Sequence, residues 1–131
     1  MNWKLVLTLA AAGPLIGGAV VLGLGVGPML STWLVVRIAS AIWIARALGA
    51  KWFLHGFVVG VIGCASAVAT KFLFYDAYVA NVPQYVDQLH ETFAHADARV
   101  WIPVLAVILA AVHGVVQGAM AWVAAKFVGP R

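Results

Sequence analysis

Charge is what this sequence has least of. Only 9% of its 131 residues are Asp, Glu, Lys or Arg, while 65% are hydrophobic and the mean hydropathy is +1.03. A soluble domain carries about 25% charged residues and needs them to cover its surface. Their scarcity excludes a water-exposed globule and makes the bilayer the natural solvent. Carboxylates are rarer still: Asp76, Asp87, Glu91 and Asp97 are the only four, all within one stretch. The single cysteine, Cys64, lies in an apolar run. It excludes an intrachain disulfide, a cysteine metal cluster and a disulfide-exchange enzyme of the four-helix membrane type. The net charge of +4 does not indicate nucleic acid, because Lys4, Arg46, Lys51, Lys126 and Arg131 stand singly at helix ends instead of forming a patch.

What is present is four apolar runs, each long enough to cross about 30 Å of hydrocarbon. The sequence predicts a single all-α domain, an integral membrane bundle of four helices over residues 5–26, 29–48, 52–75 and 100–127. Lys4 ahead of the first run imitates a secretory signal, but no small-x-small cleavage site with a polar segment behind it follows, so this run is expected to stay as the first span. Gly27-Pro28 is expected to stop the first helix, since Pro cannot continue one. The five basic residues fall on one side of a four-span chain, and the acidic residues in the loop 76–99 on the other. The positive-inside rule then places both termini in the cytoplasm and the loop on the outer face. Within that loop, Tyr85, Val86, Leu89, Phe93 and Ala96 recur with helical period after Pro83, opposite Asp87, Glu91 and His95. This predicts a short amphipathic helix capping the bundle.

Helices in lipid gain little from burying apolar surface against one another, so small residues mark where they meet. Three GxxxG pairs occur: Gly13/Gly17, Gly56/Gly60 and Gly114/Gly118. Gly63 and Ala67 prolong the second pair, and Ala110, Ala121 and Ala125 flank the third. The third and fourth spans are therefore expected to pack closely, with each other or across a subunit boundary.

Ionisable groups inside a membrane are costly and mark functional sites. Arg37 falls within the second span, which contains no carboxylate to pair with it. Backbone carbonyls, a cation–π contact with Trp33 one turn away, or an acid folded in from the loop are its available partners. It reads as an anion site, as a contact for a partner subunit's carboxylate, or as an arginine snorkelling to lipid phosphate. Lys71, near the loop end of the third span, suggests snorkelling or a local pair with Asp76. His113 lies at mid-depth in the fourth span with Gln117 one turn on, expected on the same face. That pair suits a ligand, a proton relay or a hydrogen bond between helices. No cofactor is predicted; a haem or pigment on His113 is the weaker option. His55 and His113 differ in depth by roughly 15 Å, so they cannot share one iron within a chain. His90 and His95 stand five apart, one residue too far for the zinc-protease spacing, and no metal site is predicted.

Other small membrane families fit poorly. Small multidrug exporters need a carboxylate in the first span, fluoride channels need an Arg after a Gly-rich motif there, and glutathione-dependent membrane enzymes need intramembrane Asn and Glu. The motifs Met1-Asn2-Trp3-Lys4, Trp52-Phe53-Leu54-His55-Gly56-Phe57 and Phe74-Tyr75-Asp76, with Asn81 and Pro83, resemble those of small uncharacterised four-span bacterial membrane proteins. The resemblance implies a bacterial source and four spans, and brings no activity, cofactor or site. The sequence thus leads to a non-enzymatic accessory or scaffold subunit of an inner-membrane complex, in contact with lipid and with other subunits or copies of itself. A small transporter or channel for an anion or polar solute, using Arg37 and His113/Gln117, is the alternative.

Overall fold

The computed structural model describes residues 1–92 and 98–129. Phe93, His95, Ala96 and Asp97 of the expected loop pattern, with Pro130 and Arg131, lie outside the described residues. Within them the chain is helical with no strand: α1 (Trp3–Ala10), α2 (Ala12–Val21), α3 (Val26–Ala47), α4 (Trp52–Leu73), α5 (Tyr75–Asn81), α6 (Pro83–Thr92) and α7 (Ala98–Val128). Four segments are long and apolar enough to cross a membrane: Trp3–Val21, Gly27–Ala47, Trp52–Leu73 and Arg99–Val128.

Local chemistry explains the boundaries. Pro14 has no N–H for the Ala10 carbonyl, and its ring crowds that oxygen, so the first span divides into α1 and α2 at Ala11. Ala11 keeps near-helical dihedrals (φ −60°, ψ −19°), which makes the break a kink within one span. The turn after α2 is not at Gly27-Pro28. It is made by Gly23, whose φ of +99° L-residues avoid. There the Gly23 N–H donates to Val20 O and the Leu24 N–H to Ala19 O, the paired bonds of a Schellman cap. Pro28 instead falls in the first turn of α3, where a missing N–H costs nothing. The third span likewise ends at Leu73, two residues early, and the chain turns at Phe74 into α5, which the sequence pattern did not separate from the span. Asn81 at the end of α5 donates from Nδ2 to Val21 O (2.8 Å), covering a free carbonyl at the end of α2.

The packing is interleaved. Helix α4 lies against α7 along much of its length, α2 lies mainly against α4, and α3 mainly against α7, while α2 and α3, consecutive in the chain, touch little. The small-residue face of α4 serves two partners. Toward the end that carries the N-terminus and Lys126, Gly56 and Gly60 meet α7. A Cβ on Gly56 would stand 2.7 Å from Gln117 O and 2.9 Å from Gly118 Cα; one on Gly60 would stand 2.9 Å from Gly114 Cα. Toward the end that carries residues 76–92, the same face meets α2. There a Cβ on Gly13 would collide with Gly63 O, and one on Gly17 would stand 2.6 Å from Ala67 O. Leu5, Val6, Leu9, Ala41, Ile44, Val59 and Ala121 close the core at the terminal end, and Val20, Val21, Tyr78, Val82 and Ile102 form a second cluster at the loop end.

Candidate functional site

Helix α3 begins three residues before the expected start of its span, so Arg37 lies about 16 Å along it, at its middle. His113 is the central residue of α7. The structure brings these two together around Trp33. The Arg37 guanidinium carbon lies 5.6 Å from the Trp33 ring centroid. The His113 ring meets Trp33 edge to face, with centroids 5.6 Å apart and planes at 83°. Trp33 thus offers its π-cloud to the cation and positions the imidazole.

This trio lines a groove of about 500 Å³ between α3, α4 and α7. Helix α4 contributes Cys64, a buried thiol, and Lys71, two residues from its end. Lys71 does not pair with Asp76. That carboxylate is taken by Arg99 (2.8 Å), which also stacks 4.7 Å from Tyr75, and the Lys71 ammonium lies 5.9 Å from the Tyr78 ring. Among the described residues neither Arg37 nor Lys71 has a carboxylate partner. Leu30, Leu34, Leu109, Val112 and Val116 supply the walls.

Gln117 takes a different place from His113. It is buried, and its Nε2 donates to Arg37 O (3.2 Å), tying α7 to α3 at mid-span. With Arg37 and Ser40 it borders a small pocket of about 20 Å³, room for a single water molecule. The Nδ1 atom of His113 is buried and has no hydrogen-bond partner among the described residues. Side-chain hydroxyls elsewhere in the spans bond backward to their own helices, as Thr32 does to Pro28 O and Thr70 to Ser66 O. They leave the groove to the cations and the imidazole.

His55 has a structural position that its neighbours in the sequence did not announce. It is buried, and its Nε2 lies 3.0 Å from the Asn2 backbone nitrogen, with Nδ1 2.9 Å from Lys51 O. A backbone N–H can only donate, so Nε2 is the acceptor and the ring proton sits on Nδ1, donating to Lys51 O. The same Asn2 caps α1 through its side chain, accepting from the Leu5 N–H at 3.2 Å. His55 therefore fastens the start of α1 to the α3–α4 turn and takes no part in the groove. No group of metal-ligating residues occurs among the described residues. A second, apolar cleft of about 640 Å³ opens between the loop-end halves of α4 and α7, lined by Ala65, Ala69, Ala106, Ala110 and Ala111 among larger side chains.

No known protein family, characterised protein or solved structure matches the chain.

Proposed function

We propose that this is a non-enzymatic membrane protein that holds or carries an anionic small molecule in the groove between α3, α4 and α7. The observation that carries the reading is the convergence of Arg37, Lys71 and His113 on one cavity, in a chain whose spans contain no carboxylate. Placing an arginine at mid-span costs about 2.5–3.5 kcal/mol. A cation–π contact such as that with Trp33 offsets about 0.5–2 kcal/mol of it. The side chain is too short to reach the end of α3, so an anion is the partner that best balances the rest. Toward the terminal end Leu5, Val6, Ile44, Val59 and Ala121 are tightly packed. That favours a site over an open pore, and transport would require this end to part.

Proteoliposomes of zwitterionic phosphatidylcholine, challenged with a panel of anions from inorganic phosphate and short carboxylates to alkyl phosphates and fatty carboxylates, test the reading. Protein-dependent binding or efflux that Arg37→Gln lowers about tenfold, with helicity unchanged, supports it. Absence of both for every anion removes it.

A second reading, an accessory or scaffold subunit of a larger membrane complex, draws on the alanine-lined cleft, because small residues admit a neighbouring helix. The GxxxG faces themselves are occupied within the chain. Purification in a mild detergent discriminates: a defined oligomer or a co-purifying subunit favours this reading, a bare monomer opposes it. Haem or pigment on His113 is the weakest proposal. A ligating imidazole is normally held through its other ring nitrogen, and Nδ1 has no such contact and is too buried to ligate itself. An absorption spectrum of the purified protein decides the matter. We further place the protein in a bacterial cytoplasmic membrane with both termini inside, from Lys4, Arg46, Lys51 and Lys126 at one end, with α6 capping the outer end. Reporter fusions at the loop and at either terminus test the orientation.

A further inference from the structure

We infer that the ligand is an amphiphile, with an anionic head inside the groove and an apolar chain lying outside it along the lips of α3 and α7. The inference rests on the anion-binding reading and specifies what the anion is attached to. The first observation is size. About 500 Å³ falls in the range of sites for whole organic ligands, about 300–1,000 Å³, and far exceeds what a free inorganic ion fills. The second is the character of the lips. Leu30, Leu34 and Val112 line the groove and are each more than half exposed, so its rim is continuous with the lipid-facing surface. A small hydrophilic ion gains nothing from such a rim, whereas a hydrocarbon chain lies on it without leaving the bilayer.

The third observation is the placing of the charges. Lys71 stands in the last turn of α4, and Arg37 at the middle of α3, beside Trp33 and His113. Their backbone positions differ by roughly 13 Å along the helix axes. A head of phosphate or carboxylate meets Lys71 on entering from the interface and reaches Arg37 at mid-depth, its chain trailing in lipid throughout. A buried site for a free anion would instead gather its cations at one level and close its rim.

The test uses the full chain in nanodiscs of zwitterionic phosphatidylcholine, with the fluorescence of Trp33 isolated by difference from Trp33→Phe. The probes are chain-brominated oleyl phosphate, which quenches tryptophan on contact, brominated oleyl alcohol with the same chain and no charge, and inorganic phosphate as competitor. The phosphate amphiphile is expected to quench at about tenfold lower mole fraction than the alcohol, with Arg37→Gln plus Lys71→Gln removing the difference and Arg37→Lys, which keeps the charge without the planar fork, keeping part of it. Inorganic phosphate should fail to compete at matched concentration. If it competes equally, the chain contributes nothing and the amphiphile is excluded while the anion site stands. If alcohol and phosphate amphiphile quench alike and no anion of the panel binds in liposomes, both readings fall. Far-UV circular dichroism of each variant separates lost binding from lost fold.

Discussion

The two halves of this molecule use the small-residue face of α4 for different partners, although α4 and α7 run through both. At the terminal end, glycines bring the backbone of α4 against α7, the core is continuous, and His55 is tied to Asn2 and Lys51. At the loop end, α7 has left the small-residue face of α4 to α2, and the space between helices opens into a cationic groove on one side and an apolar cleft on the other. The difference teaches how a short chain can be rigid and yet hold a cavity. At the terminal end the face of α4 holds α7 by contacts that tolerate no added atom; at the loop end it holds α2 as closely, and the space beside α7 is left open.

The comparison breaks most sharply at Gly60. Its absent Cβ faces Gly114 Cα and Gln117 Cβ, both at 2.9 Å, so Gly60→Val should force α4 and α7 apart and cost about 3 kcal/mol or more. Urea unfolding in mixed micelles, followed by circular dichroism, measures it. His55→Phe keeps an aromatic side chain without either ring nitrogen, leaving the Asn2 N–H without its acceptor; a loss of about 1–3 kcal/mol is expected, with faster amide exchange at Asn2 and Leu5. Asn81→Ala should cost about 1 kcal/mol, because it only uncovers the Val21 carbonyl. Gly18→Ala should have the opposite sign. Nothing lies within 4 Å of its Cβ position, and a gain of about 0.5–1 kcal/mol is expected from the stiffer helix. Were Gly18→Ala as damaging as Gly60→Val, glycine content alone would account for the effect, and the contrast between contact and open positions would fail.

The spans were legible because a run of apolar residues has one stable solution in lipid, and their number follows from length alone. Their ends were less so. Gly27-Pro28 has the letters of a turn, but Pro is equally at home in a first helical turn, and only Gly23 takes the positive φ that a cap needs. Tyr75–Asn81 forms a separate helix too short and mixed to carry a periodic signal. In the site, Arg37, Lys71 and His113 were each recognisable as costly in a membrane, and the Trp33 contact followed from one-turn spacing. Their convergence was not, because it depends on the crossing of three helices. The same geometry separates Gln117 from His113: the roughly 40° between residues four apart on a helix suffices, at a junction of α3 and α4, to turn one into the core and the other into the groove. Cys64 and Ser40 were absent from the expected site for the same reason.

The interleaved packing also dictates an order of assembly. A chain threaded into the membrane from its N-terminus presents α2 and α3 first, and these two barely touch. The first span has its mate only when α4 arrives with Gly63 and Ala67, and α3 has its own only when α7 arrives. The bond from Asn2 to His55 spans 53 positions and can close only once α4 is in place. Until α4 and α7 are present the earlier spans have little to pack against, and α7 supplies the wall that closes the groove around Arg37.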